Sequence, residues 1–384
     1  MSITCPYITK GLRLEFSTSV YKELLYRTRP CCHMHGDKFD NDLKQWNVCN
    51  TWQDLETHNN RKHFINWENN KGTFHNACWP CSNIEQHTPQ RSPRFIYKDN
   101  IEVDYHILDV VIGSTCNLAC PFCAPNVSSL IEKISKKYTK KELPGKWKNE
   151  PTINGNPISV AKVVSEFISN RRVGELKIIG GEPLLVENWN EISKVINSDL
   201  CNNMSLTFTT NGTIMNKKII SNLYKVKSSK ITVSVDSIEN NYNFIRWPYN
   251  WNKVKDNINY LLEHKPTSAF VNIDGLVNIF NFELLPIIEQ EFNKWPSYSF
   301  MFDLKPEGSP MDFKVLPKEI LKDVYNKLQN KHMKSSIEYA IDNYEILNYQ
   351  DKYNEAVRTC KWFLKQRNMT KDVFGIKTIK YLGL

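Results

Sequence analysis

A chain of 384 residues with 41% hydrophobic and 24% charged side chains can bury one large core and a smaller module, and its balance excludes a disordered or fibrous protein. No run approaches the roughly 20 apolar residues of a membrane-spanning helix, and residues 1–16 lack the apolar stretch of a secretory signal; a cytoplasmic protein with no membrane partner is expected. The net charge of +9 permits a polyanionic partner without requiring one, and Lys136, Lys137, Lys140 and Lys141 read as a solvated face.

Residues 1–100 are rich in Cys, His, Trp and Asn and poor in periodicity, with a short strand expected at 12–17 and a second element at 20–26. Such a segment struggles to bury a core of its own, and metals commonly substitute for hydrophobic area there. Gln90, Arg91, Ser92 and Pro93 read as a linker. The chain holds eleven cysteines, and seven fall into three tight groups: Cys31 and Cys32; Cys78 and Cys81; Cys116, Cys120 and Cys123. In a reducing compartment such spacing points to metal rather than to disulfides. Cys201 and Cys360 read as free, partly buried thiols, and Cys49 and His75 carry no assignment.

From about residue 104 short β-branched runs alternate with longer amphipathic ones. Strands are expected at 107–112, 176–179, 205–210, 230–235, 270–277 and 299–304. Helices are expected at 128–138, 189–196, 217–224, 251–263 and 282–292, with more after Pro317. Six strand–helix alternations predict an α/β fold with a parallel sheet and right-handed crossovers. Pattern alone allows either a doubly wound sheet or an open partial barrel. The expected division is 1–100, 101–310 and a C-terminal helical segment, 311–384, packed on the core.

Gly113-Ser-Thr-Cys116-Asn-Leu-Ala-Cys120-Pro-Phe-Cys123 follows the first of these strands directly. Functional residues of such folds gather where strands end and loops begin. Three thiolates on one loop suit three irons of a cubane, leaving a fourth iron open, whereas a structural zinc normally takes four protein ligands.

This CxxxCxxC spacing, with Phe122 before the third cysteine, resembles the signature of the radical S-adenosylmethionine (SAM) superfamily. The resemblance implies a partial (β/α)6 barrel. It also implies a catalytic [4Fe–4S] cluster on Cys116, Cys120 and Cys123, whose open iron chelates the amino and carboxylate groups of SAM. Gly180, Gly181, Glu182 and Pro183 look like the family's GGEP motif beside the methionine amino group, with glycines allowing close backbone approach to the ligand and Glu182 helping to anchor the ammonium. Thr209 and Asn211, in Thr-Thr-Asn-Gly, and Ser234 and Asp236, in Ser-Val-Asp-Ser, resemble strand ends that meet the SAM ribose and carboxylate. Val277-Asn278 resembles the adenine-contacting segment more loosely.

Upstream, Cys5 before Pro6, Cys31 and Cys32 after Pro30, Cys78 and Cys81 as a CxxC, and Ser92-Pro-Arg94 resemble radical SAM proteins with an N-terminal twitch domain. That implies a second, auxiliary [4Fe–4S] cluster on Cys5, Cys31 or Cys32, Cys78 and Cys81. Zinc, aided by His33 and His35, is the competing ligand set. The family's chemistry implies a reductant such as flavodoxin or ferredoxin, cleavage of SAM to a 5′-deoxyadenosyl radical, and hydrogen abstraction from a substrate. A peptide or protein side chain is the first expectation for that substrate. RNA or a nucleotide is the second, given the positive charge and the aromatics Trp247, Tyr249 and Trp251. A zinc-stapled RNA-binding or assembly protein without turnover is the reading from outside enzymology.

Overall fold

The computed structural model describes residues 11–18, 24–29, 48–49, 103–144, 147, 157–302, 309–344 and 350–384. Three strands lie in the N-terminal region: β1 (Gly11–Thr18), β2 (Leu24–Arg29) and β3 (Val48–Cys49). β4 (Tyr105–Val111) is followed by helices α1 (Ser129–Ser135) and α2 (Pro157–Ser169). Next come β5 (Val173–Ile179), α3 (Val186–Ile196), β6 (Ser205–Thr210), α4 (Lys217–Leu223) and β7 (Ser228–Ser234). Then α5 (Glu239–Ile245), α6 (Trp251–His264), β8 (Ala269–Leu276), α7 (Leu285–Phe292) and β9 (Tyr298–Met301) complete the sheet region. Helices α8 (Lys318–Lys327), α9 (Lys331–Asp342), α10 (Tyr353–Arg367) and α11 (Ile376–Leu382) end the chain.

The strand order is β3-β2-β1-β4-β5-β6-β7-β8-β9, with β4 to β9 pairing in parallel. This order decides between the two architectures that periodicity leaves open. A doubly wound sheet reverses direction at a switch point. Here each right-handed crossover from β4 onward advances the same way, so the crossover helices share one face. The result is an open, barrel-like sheet. β1 pairs in parallel with β4 and antiparallel with β2, so the N-terminal strands extend this same sheet.

The two faces differ in chemistry. Val110, Ile178, Phe208, Ile231 and Val271 stand in one row of aligned pairs and are buried beneath the helices. The neighbouring row, on the opposite face by the strand's two-residue period, is Asp109, Lys177, Thr207, Lys230 and Phe270. Lys230 and Phe270 are exposed although β7 and β8 are interior strands. A polar, open inner face therefore runs across the sheet.

Most expected elements form within a few residues of their expected bounds. Ser128 sits at the N-cap of α1, its hydroxyl accepting the Ile131 N–H. α6 buries Trp251, Val254, Ile258 and Leu261, a helical three-to-four spacing. The sixth expected strand is shorter and ends at Met301. Two helices lie outside the expected set, α2, whose Pro157 start and buried Val160, Val164 and Phe167 are an ordinary helix signal, and α5. The latter, Glu-Asn-Asn-Tyr-Asn-Phe-Ile, is poor in helix formers; burial of Tyr242, Phe244 and Ile245 overrides that propensity.

Candidate functional site

The cysteine loop leaves the C-terminal end of β4 and is held by backbone contacts from β5. Gly113 O accepts the Gly181 N–H at 2.9 Å, and Thr115 O accepts the Glu182 N–H at 2.8 Å. A Cβ on Gly181 would lie 2.4 Å from Thr115 O and 2.7 Å from Ser114 O; one on Gly180, whose φ is +148°, would lie 2.7 Å from Gly113 O. The glycines of Gly180-Gly181-Glu182-Pro183 are thus demanded by the approach of one chain segment to another. The Cβ space at both positions is taken by the cysteine loop's own carbonyls.

The far end of the loop is pinned to α1. The Ser129 hydroxyl accepts the Cys116 N–H at 3.1 Å and donates to Cys116 O at 3.2 Å, and Ser128 Oγ donates to Leu118 O at 2.7 Å. The Ala119 N–H donates to Trp247 O at 2.8 Å, and the Cys123 N–H to Cys120 O at 3.1 Å. Cys120 is buried, while Cys116 and Cys123 are half-buried. Burial is the main cause that pushes the Cys116 thiol up to about 12. A hydrogen bond from Cys123 is the main cause that brings Cys120 down to about 7, against its burial and with help from Arg246 and Arg367. The Cys123 thiol is correspondingly raised.

β6 ends beside the loop. Asn211 Nδ2 donates to Asn117 Oδ1 at 2.9 Å and lies 4.0 Å from Cys116 Sγ; Asn117 in turn donates to Thr213 Oγ1 at 2.9 Å. Glu182 is wholly buried and faces the chain. Its carboxylate accepts the Leu184 N–H at 2.9 Å, the Thr210 hydroxyl at 2.7 Å and the Asn211 N–H at 2.6 Å. Burial, opposed by those three donors, lifts its pKa to about 7. The same carboxylate, expected beside an ammonium group, staples the ends of β5 and β6.

Beyond β7, Asp236 takes a left-handed φ of 66°. Its carboxylate accepts the Leu276 N–H at 2.8 Å and pairs with Arg246 Nε at 2.5 Å. The Arg246 guanidinium lies 5.8 Å from the centre of the Phe122 ring. Burial works against that cation, yet Asp236 and Cys120 hold it protonated. Ser234 is half-buried on the inner face, aligned with Asp274, and Thr209 is exposed there, aligned with Thr232 and next to Asn272. Asn278, expected near an adenine, is fully buried and donates to Leu276 O at 2.8 Å.

Cys5, Cys31, Cys32, Cys78 and Cys81, with His33, His35 and 92–94, lie outside the described residues. Cys201 and Cys360 are each about 1% exposed, more buried than expected. Trp251 is buried, tilted against Tyr242 and edge-on to Trp295, and the Tyr249 hydroxyl donates to Thr213 O at 2.7 Å. Sequence reasoning missed Asn117, Arg246 and Arg367. A single cation within Phe244-Ile245-Arg246-Trp247 was the available signal for Arg246; the other two carry none.

The donor set fits an iron–sulfur cluster: three soft sulfurs on one loop, two buried guanidinium groups nearby, and the neighbouring carboxylates of Glu182 and Asp236 engaged by other donors. Among the described residues, no three His, Cys, Asp or Glu side chains converge to hold a single metal ion.

Residues 110–284 match the model of the Radical SAM superfamily. Two curated relatives are molybdenum cofactor biosynthesis protein 1 of Dictyostelium discoideum and GTP 3′,8-cyclase of Staphylococcus epidermidis. The first is 20% identical over 217 residues, 56% of this chain and 31% of that protein. The second is 30% identical over 147 residues, 38% of each. The chain thus spans about a third of the length of the curated relatives it matches. Among solved structures, anSMEcpe with bound AdoMet is 16% identical, covering 58% of this chain and 59% of that one, at a TM-score of 0.41. SuiB of Streptococcus suis, bound to the precursor peptide SuiA, is 19% identical, covering 50% and 38%, at a TM-score of 0.35.

Proposed function

We propose that this chain, which carries a Radical SAM superfamily domain over residues 110–284, is an enzyme that cleaves SAM reductively and abstracts hydrogen from a peptide or protein side chain. The observation that carries this reading is the placement of the Cys116, Cys120 and Cys123 loop. It sits against the backbone of residues 180–182, at the C-terminal mouth of a parallel sheet whose inner face is open and polar.

Cys116, Cys120 and Cys123 would hold a [4Fe–4S] cluster. Cluster and SAM together would supply one-electron reductive cleavage of the sulfonium, the source of a 5′-deoxyadenosyl radical. The chain's own part is positioning and charge. Phe122 shields the loop and stacks near Arg246. The backbone of Gly180 to Pro183 would lie beside the methionine amino group, with Glu182 O accepting the Leu185 N–H at 3.3 Å. Thr209 and Ser234 face the concavity as candidates for the ribose, while Asn211 and Asp236 act through Cys116 and Arg246. Cys5, Cys31 or Cys32, Cys78 and Cys81 would hold an auxiliary [4Fe–4S] cluster in a twitch-like module. A flavodoxin or ferredoxin would supply electrons. No helix among the described residues is long and apolar enough to cross a membrane, which accords with a cytoplasmic site of action.

The inner face supports a peptide over a nucleotide. Asp109, Glu175 and Asp274 share it with Lys177 and Lys230, and Lys177 is paired with Asp109 at 3.4 Å. A triphosphate asks for a surplus of cations that the described positions do not supply. Amides and hydroxyls are met by Thr209, Thr232, Asn272 and Ser299, with Asn272 Nδ2 donating to Ser299 Oγ at 2.7 Å. The RNA reading is weakened further because Trp251 is core and the Tyr249 hydroxyl is bonded to the chain.

The test is anaerobic reconstitution with iron and sulfide, followed by dithionite and SAM. About four irons per chain mean one cluster and about eight mean two. Formation of 5′-deoxyadenosine supports the reading. Cys120→Ala is expected to abolish that product and Cys78→Ala to spare much of it; equal loss overturns the division of roles. A colourless, four-coordinate ion on the three-cysteine loop overturns the whole reading.

A further inference from the structure

Arg367 closes α10, 83 residues beyond the end of the matched domain. It is 7% exposed. Its guanidinium donates to Ala119 O at 2.6 Å and also to Phe244 O. It lies against the rings of Phe244 and Phe363, 4.8 Å and 4.5 Å from their centres. Carbonyls and aromatic faces satisfy its N–H groups and part of its charge, yet it pairs with no carboxylate among the described residues. The contrast with Arg246 is decisive: that second buried cation is neutralised by Asp236 at 2.5 Å. An unpaired buried guanidinium is costly unless an anion stands near it. Ala119, whose carbonyl it grips, directly precedes Cys120.

We propose that Arg367 is a positioning residue that fastens the C-terminal helix to the cysteine loop and supplies a fixed positive charge, unpaired with any carboxylate among the described residues, on the Cys120 side of the site formed by Cys116, Cys120 and Cys123, thereby raising the reduction potential of the cluster held there. The inference rests on the radical SAM reading above. Each added electron makes a thiolate-ligated cluster more negative, so a fixed cation stabilises the reduced form more than the oxidised one. The C-terminal segment is therefore part of the redox centre as well as a covering of it.

The experiment is a redox titration of the reconstituted full-length protein, following by electron paramagnetic resonance the reduced-cluster signal that changes on adding SAM. Arg367→Gln keeps donors and removes charge. Arg367→Met removes both with a side chain of similar reach, relieving the buried charge if the amide variant does not fold. Arg367→Lys keeps the charge. Both neutral variants are expected to shift the one-electron equilibrium about tenfold toward the oxidised cluster, a potential about 59 mV more negative, at unchanged iron content. Arg367→Lys is expected to stay near the wild-type potential. A neutral variant titrating with the wild type, or a lysine variant shifted as far as the neutral ones, overturns the inference while leaving the enzyme reading intact. Absence of any SAM-responsive signal in the wild-type protein overturns the reading beneath it.

Discussion

The carboxylate of Glu182 accepts the backbone N–H of Asn211 at 2.6 Å, stapling the end of β5 to the end of β6 inside the protein. Through Asn211 the staple reaches Asn117 and the Cys116 sulfur, so an acid group with no outward face orders the cysteine loop.

That staple has a pH signature. Burial raises the Glu182 pKa to about 7 from an ordinary 4.5. The folded protein therefore keeps a proton that the unfolded chain has released. The stabilisation is full below pH 4.5 and is lost as pH rises toward 7, by about 3 kcal/mol in all. Glu182→Gln should flatten this part of the profile and leave one donor unmatched, at about 1–3 kcal/mol. Thermal unfolding between pH 4.5 and 8 checks the slope. A variant that keeps the wild-type slope means that another group titrates there.

Gly181→Ala places a methyl group 2.4 Å from Thr115 O, a backbone atom that cannot turn away. The expected loss is about 1–3 kcal/mol of stability, as for other overpacked sites, together with reduced iron uptake because the cysteine loop must shift. Urea unfolding and iron analysis measure the two effects separately. Normal uptake in this variant would mean that the loop adapts.

Arg246 and Asp236 form a buried pair whose members depend on each other. Arg246→Ala should cost about 3–5 kcal/mol, since it strands Asp236 in the interior. Asp236→Asn combined with Arg246→Met should cost well below the sum of the single changes. A double-mutant cycle by chemical denaturation reads the coupling; additive losses would show that the pair contributes nothing as a pair.

Phe208, fully buried on the helix side of β6, tests the assignment of the two faces. Phe208→Ala should destabilise by about 3–5 kcal/mol. Thr209→Ala, one residue on and facing the open concavity, should change unfolding by less than about 0.5 kcal/mol. Parallel urea titrations of the two variants give the comparison, and similar losses would contradict the open inner face.

Local chemistry was legible in the chain itself. The alternation of Thr207, Phe208 and Thr209 marks a strand with one buried face because side-chain direction repeats every two residues. Trp251, Val254, Ile258 and Leu261 mark a helix for the analogous reason at 3.6. The three cysteines announced soft-metal chemistry because their ligand atoms fall within eight consecutive residues, 116–123. Only tertiary structure decided what surrounds them. Periodicity cannot give strand order, so the open sheet rather than a doubly wound one emerged from pairing. That Glu182 staples β5 to β6 was not legible in its tetrapeptide, because Thr210 and Asn211 stand 28 and 29 residues on and only packing brings them to it. Arg367 carries no signal in its local sequence. Its contact with Ala119 spans 248 residues of chain, a distance over which no local pattern carries information, because which segments meet is settled by packing of the whole core.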